Sequence, residues 1–133
     1  MSYVLDACAM IAYLNGEPGA AAVDGMLKDT GRECFAHSIN LCEVYYDALR
    51  AADESTADQA IQDLVAAGVV ERNEMDPTLW REVGKIKSRG RISIADAFCA
   101  ALTNRVSGDA VTSDRREFEP LAAAGVCSVT FIR

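Results

Sequence analysis

The chain has 133 residues, 50% apolar and 25% charged, and its 20 acidic residues against 13 basic ones give a net charge of −7. That apolar content excludes a disordered chain, no apolar run reaches the ~18 residues that span a bilayer, and the opening MSYVLDACAM lacks the basic stretch of a secretory signal. The length suits one domain over residues 1–133, able to bury roughly two thirds of its unfolded surface.

In chain order, Tyr3–Leu5 reads as a short buried strand, followed by a short helix that ends in the turn Asn15-Gly16-Glu17-Pro18. Val23, Met26 and Leu27 supply the apolar positions of a helix over Gly19–Lys28, and Glu33–Ala36 predicts a second strand. The spacing of Leu41, Val44, Tyr45, Ala48 and Leu49 predicts a helix from Ser38 to about Ala52. A further helix runs from Glu54 to Ala67, where Gly68 stops it before a strand at Val69–Glu71. Pro77 opens the next helix near its first position, and Arg89-Gly90 closes it. Ser93–Val106 is helical, Ala110–Thr112 is a strand, Arg115–Ala124 is a short helix, and Cys127–Ile132 is the last strand. Strands alternating with helices predict an α/β domain with a short, largely parallel five-stranded sheet. Ligands of such sheets bind beyond the carboxyl ends of the strands.

Cys8, Cys34, Cys42, Cys99 and Cys127 are odd in number, form no C-x-x-C pair and lie in apolar segments. They read as reduced, mostly buried thiols of a cytoplasmic protein. His37 is the only histidine, which leaves no room for a metal site built on several. The acidic balance lacks the basic footprint of many nucleic-acid binders. A domain that holds a divalent cation by carboxylates is acidic for a different reason, so charge alone does not decide the partner.

Four carboxylates fall where the predicted rim is. Asp6 follows the first strand and Asp114 the fourth; Asp96 is in the first turn of the helix before the fourth strand, and Glu43 is in the second turn of the helix after the second. Carboxylates brought together repel, and some must take up protons unless a cation neutralises them. Mg²⁺ and Mn²⁺ prefer oxygen ligands and suit phosphodiester hydrolysis, activating water and stabilising charge on the attacking and leaving oxygens. Each residue also has a local reading. Ser93-x-x-Asp96 matches a capping box, Asn40-x-x-Glu43 is a weaker version of it, and Asp114 suits a helix N-cap. Asp6 resists such a reading, because a charge inside the apolar run Val4–Ala12 is costly without partners.

These residues, with their neighbours, resemble the PIN-domain family and, within it, VapC-like toxins of bacterial toxin–antitoxin pairs. The likeness is carried by Tyr3-Val4-Leu5-Asp6-Ala7-Cys8, by Ser38-Ile39-Asn40-Leu41-Cys42-Glu43-Val44, most specifically by Ile92-Ser93-Ile94-Ala95-Asp96-Ala97-Phe98, and by Val111-Thr112-Ser113-Asp114 with Phe118. It implies a three-layer PIN-like domain and a Mg²⁺- or Mn²⁺-dependent endoribonuclease, the toxin of such a pair. Asp6, Glu43, Asp96 and Asp114 would be the catalytic metal ligands, and Thr112 or Ser113 would position a water or a phosphate oxygen. The implied reaction is in-line attack of water on an RNA phosphodiester, leaving a 5′-phosphate and a 3′-hydroxyl. The implied partners are an RNA substrate, a small antitoxin whose basic residue enters the acidic groove, and a second copy in a homodimer. Cys8 departs from the pattern, standing where relatives often carry a hydroxyl residue.

Candidate RNA contacts are Lys85, Lys87, Arg89 and Arg91, which place four of the 13 basic residues within one short stretch, together with Arg115 and Arg116. Cations near a helix end also complement its macrodipole. His37 reads as a turn residue at a strand-to-helix junction, Tyr45 as core and Tyr46 as a lining or subunit contact; Asp47, Glu117 and Glu119 read as extra carboxylates near the rim or, by the plainer reading, as solvated ones. A haloacid-dehalogenase-type phosphotransferase would need an Asp where Cys8 stands, and a response-regulator receiver would need adjacent acids after the first strand. The remaining alternative is a catalytically silent PIN-like module that binds RNA or protein; the presence of all four acids argues against it.

Overall fold

A computed structural model describes residues 1–133. Its strands are β1 (Tyr3–Leu5), β2 (Cys34–His37), β3 (Val69–Arg72), β4 (Asp109–Thr112) and β5 (Val129–Phe131). Its helices are α1 (Ala7–Asn15), α2 (Ala20–Lys28), α3 (Ser38–Ala51), α4 (Glu54–Ala67), α5 (Pro77–Ser88), α6 (Ile94–Arg105) and α7 (Arg115–Ala123). Successive strand residues point to opposite faces, and here each face has its own core. Val4, Phe35 and Ala110 pack with α5, α6 and α7. Leu5, Cys34, Ala36 and Val111 pack with Met10 of α1, Val23 of α2, Val44 of α3 and Leu64 of α4. The result is three layers, helices on both faces of one sheet, as predicted.

The sheet order is β3-β2-β1-β4-β5, and every pairing is parallel. Parallel strands buried on both faces read as continuous apolar runs, which is why β1 and β4 carry Val, Leu and Ala without alternation. From β1 the chain builds outward through β2 to β3, then returns to add β4 and β5 on the other side. The order therefore reverses between β1 and β4, and a crevice opens beyond their carboxyl ends. Their register pairs Leu5 with Val111, so Asp6, just past β1, lies beside Thr112, the last residue of β4.

Element positions follow the sequence closely, with slips at strand ends. β2 starts at Cys34 and takes in His37, because His37 is still paired with Arg72. β5 is shorter than Cys127–Ile132: Cys127 turns into the α5–α7 core, and pairing with β4 begins at Val129. Three of the cysteines are buried as expected, but Cys8 and Cys42 are exposed. No helix is long and apolar enough to cross a membrane.

Candidate active site

Asp6 is the first residue after β1 and is fully buried. Two local donors hold it: the Ala9 N–H at 2.8 Å, which makes Asp6 the N-cap of α1, and the Thr112 hydroxyl at the end of β4. Thr112 in turn accepts the Asp114 N–H at 2.9 Å. One buried hydroxyl thus ties the ends of β1 and β4 together across the switch point. Asp114 caps α7 by accepting the Glu117 N–H at 3.1 Å.

Asp96 sits in the first turn of α6, nearly buried. The capping-box reading is half right. The Ser93 hydroxyl does accept the Asp96 N–H at 3.1 Å, but the reciprocal bond is absent. The Ser93 N–H instead donates to the Glu117 carboxylate at 3.1 Å, from a different helix. That exchange releases the Asp96 carboxyl from capping duty and turns it toward Glu117 and Asp114. Carboxylate oxygens of Asp96, Asp114 and Glu117 lie within 4.8 Å of one another.

Glu43 approaches from the opposite helical layer. Asn40, one turn earlier on α3, donates from Nδ2 to Glu43 at 3.3 Å and to the Ala95 carbonyl at 3.2 Å. This fully buried amide bridges α3 and α6 across the rim. Asn40 is not the cap of α3. His37 is, accepting the Ile39 N–H at Nδ1 (3.1 Å) while Nε2 donates to the Glu74 carbonyl at 2.9 Å. Both ring nitrogens are engaged and the ring packs against Phe98, so the residue expected in a turn is a buried strand end that caps the next helix.

No ion pair neutralises this cluster. None of the seven ion pairs includes Asp6, Glu43, Asp96, Asp114 or Glu117. Burial pushes Asp6 up to about 7 against its two hydrogen bonds, with Asp114 and Glu43 adding repulsion. Burial, then the hydrogen bond to Glu117, pushes Asp96 up to about 9. Burial also raises Glu43, against the Asn40 hydrogen bond. For Glu117, burial is outweighed by hydrogen bonds from Asp96 and Ser93, helped by the nearby Lys87 charge, and its carboxyl is held below its ordinary value. An all-oxygen donor set that must otherwise hold protons fits a hard divalent cation. Asp96, Asp114 and Glu117 bring oxygens close enough together to share one, while Asp6 and Glu43, the other two carboxylates of the expected quartet, stand outside that group. The thiol of Cys8 faces the same acids, and its surroundings push it up to about 12, so it stays a neutral thiol.

The remaining sequence candidates separate. Thr112 is fully buried with its hydroxyl both donating and accepting, so it holds Asp6 rather than a water or a phosphate. Ser113 is half-buried and its hydroxyl makes no hydrogen bond within the protein. Arg116, Arg91 and Lys87 line a cavity with Ser93, Asp114 and Glu117. Arg89, Arg91 and Arg116 line a second one beside it. Arg115 turns away: it lies over the Phe131 ring, donates to the Arg133 carbonyl at 2.9 Å and pairs with Glu119 at 3.1 Å. Lys85, two residues before Lys87 and so roughly 200° around α5, lines neither cavity. Asp47 is exposed and Glu119 is solvated apart from its pair with Arg115, as read; Glu117 is not solvated but part of the cluster. Its signal was the spacing Asp114-x-x-Glu117, which looks like ordinary capping.

Several solved structures share this fold. VapBC2 from Rickettsia felis, bound to a DNA fragment from its promoter, matches with a TM-score of 0.76 and 14% identity over 98% of each chain. DNA-bound VapBC from Salmonella typhimurium matches with a TM-score of 0.75 and 16% identity over 100% of this chain and 99% of that one. The sarcin–ricin-loop-cleaving toxin VapC20 of Mycobacterium tuberculosis matches with a TM-score of 0.68 and 16% identity over 92% and 95%. A sequence search of curated proteins finds no match. The family model of the PIN domain matches residues 3–123, which takes in β1 through α7 and every carboxylate described above. The chain belongs to the PIN-domain family.

Proposed function

We propose that this protein is a metal-dependent endoribonuclease acting as the toxin of a toxin–antitoxin pair. The observation that carries the reading is the unneutralised cluster at the β1–β4 switch point, with Asp96, Asp114 and Glu117 oxygens within 4.8 Å and buried Asp6 beside them. The shared fold with toxin–antitoxin structures supports the toxin role. Asp6, Glu43, Asp96 and Asp114 hold Mg²⁺ or Mn²⁺, joined by Glu117. When bound, the ion supplies positive charge that stabilises the phosphodiester transition state and acidifies a water.

The chain's own groups do the positioning. Thr112 fixes which way the Asp6 carboxylate faces, Asn40 does so for Glu43, and the Ser93 N–H does so for Glu117. Ser113, with a free hydroxyl, remains the candidate to orient a water or a phosphate oxygen. Lys87, Arg89, Arg91 and Arg116 hold RNA phosphates beside the cluster; phosphate contacts position a substrate without reading its sequence. The partners under this reading are RNA, a small antitoxin that delivers a cation to the carboxylates, and a second copy of the chain, in the cytoplasm.

The test is cleavage of structured RNAs by the purified chain with Mg²⁺ or Mn²⁺, against EDTA and against Asp96→Asn. A defined cut that needs both the metal and Asp96 is expected. Metal binding without a cut of any tested RNA would favour the silent module.

A further inference from the structure

The acidic rim has a cationic neighbour whose charges enter no ion pair. The protein carries seven more acids than bases, yet Lys87, Arg89, Arg91 and Arg116 have no carboxylate partner in any ion pair. Elsewhere each arginine has a partner: Arg32, Arg72, Arg105, Arg115 and Arg133 enter ion pairs, and Arg50 and Arg81 lie over the rings of Tyr46 and Trp80. The three arginines of the unpaired group line a cavity of about 310 Å³ with the buried side chains of Ile86, Ile92 and Leu121, while Lys87 lines only the neighbouring one. Arg91, Arg116 and Glu117 also line the neighbouring cavity that contains Asp114. The two spaces therefore adjoin, and Glu117 stands at the boundary between them.

The backbone is shaped for this. Arg89 ends α5, and Gly90 lies in the left-handed region at φ 145°, so the chain turns sharply and brings Arg89 and Arg91 to one cavity. Arg116 completes it from the first turn of α7.

Resting on the nuclease reading above, we propose that this cavity is a nucleotide subsite: it holds the single nucleotide next to the scissile phosphate, its base on the apolar side chains and its phosphate on the arginines. Three features select that ligand. Guanidinium groups grip phosphate in a bidentate fashion and stack on bases with their planar faces. An apolar lining has no use for an inorganic anion but suits a base. A volume near 300 Å³ is at the small end of ligand pockets, enough for one unstacked nucleotide and not for a duplex. The protein then reads the identity of one base beside the cut, in single-stranded RNA.

The experiment is a titration of the full chain, in EDTA, with nucleoside 5′-monophosphates, ribose 5-phosphate, inorganic phosphate and a Glu-rich peptide. Arginine side-chain N–H signals in NMR report the site. A monophosphate is expected to bind about tenfold tighter than ribose 5-phosphate, the contribution of one stacked base. Arg91→Ala or Arg116→Ala should weaken it about tenfold, and Lys85→Ala, which removes the same charge outside the cavity, less than about twofold. Equal affinity for ribose 5-phosphate and nucleotide overturns the proposal, as does an equal effect of Lys85→Ala. So does binding of the peptide in preference to nucleotides, which would assign the cavity to a protein partner. No cleavage enters this measurement. A chain that cuts no RNA overturns the nuclease reading, while the titration still decides the pocket.

Discussion

Asp114 and Asp76 perform the same local task. Each caps the helix that follows it, Asp114 by accepting the Glu117 N–H at 3.1 Å and Asp76 by accepting the Leu79 N–H at 3.0 Å. Their surroundings differ. Asp76 is gripped by both Arg105 amino groups, at 2.6 and 2.8 Å, and its neighbour Glu74 by two nitrogens of Arg72, both at 2.8 Å. These contacts hold Asp76 and Glu74 below the usual carboxylate range, Asp76 chiefly through Arg105 and Glu74 chiefly through Arg72. Asp114 belongs with Asp96 and Glu117 to a cluster that enters no ion pair, and burial above all pushes Asp96 up to about 9 and the nearby Asp6 up to about 7. One acid cluster has its counter-charge built in, and its effect is to fasten the β3–α5 connection to the end of α6. The other lacks it, which costs stability unless something else supplies the charge. Such cost at a switch point is the physical mark of a site rather than of a scaffold.

The largest expected effect is on cleavage. Asp96→Asn should lower the rate roughly 10²–10³-fold, the size of losing one group that stabilises developing charge, and Asp76→Asn should leave the rate unchanged; gel assays with Mg²⁺ compare the two. An equal loss in both would erase the distinction between the clusters.

Next is the dependence of stability on pH. Acids whose folded pKa is raised bind more protons folded than unfolded, so stability falls as pH rises from about 4 through the raised values. Metal-free protein should therefore melt at lower temperature at pH 8 than at pH 5, and Mg²⁺ should recover the loss by binding only the folded state. Asp76 has the opposite sign, its stabilisation being lost as pH falls below the ordinary carboxylate range. Asp96→Asn should flatten the alkaline limb and spare the acid limb; calorimetric scans across pH read both.

A smaller effect isolates positioning. Thr112→Val keeps the size of the buried side chain and deletes the hydroxyl that orients Asp6. Metal affinity should fall about 10–100-fold with little change in the charge of the site. The least effect is that of Arg105→Ala, which should lower the melting temperature by a few degrees with metal affinity and cleavage intact.

Much of this was legible in the residues. Helical spacing and the Gly and Pro stops located every element, because strongly patterned segments carry their own signal; only strand ends slipped, since pairing partners rather than local residues end a strand. Asp6 stood out because an apolar run rarely carries a charge without cause. Glu117 stood only among three possible extra rim carboxylates, since Asp114-x-x-Glu117 is ordinary capping in one dimension, and only the turn of α7 toward α6 brings it to Ser93. Arg115 and Arg116 are adjacent and chemically identical, yet roughly 100° around one helix sends the first onto Phe131 and the second into the cavity. Asn40 was missed for the same reason: its bond to Ala95 joins residues 55 positions apart.

The central claim is that the rim cluster lacks only a cation. The most direct test is calorimetric titration of the metal-free chain with Mg²⁺ and Mn²⁺ at pH 7.5, beside Asp96→Asn. Saturable binding with release of protons from the cluster, weakened in the variant, is the predicted result. No binding, or binding indifferent to Asp96, would contradict it.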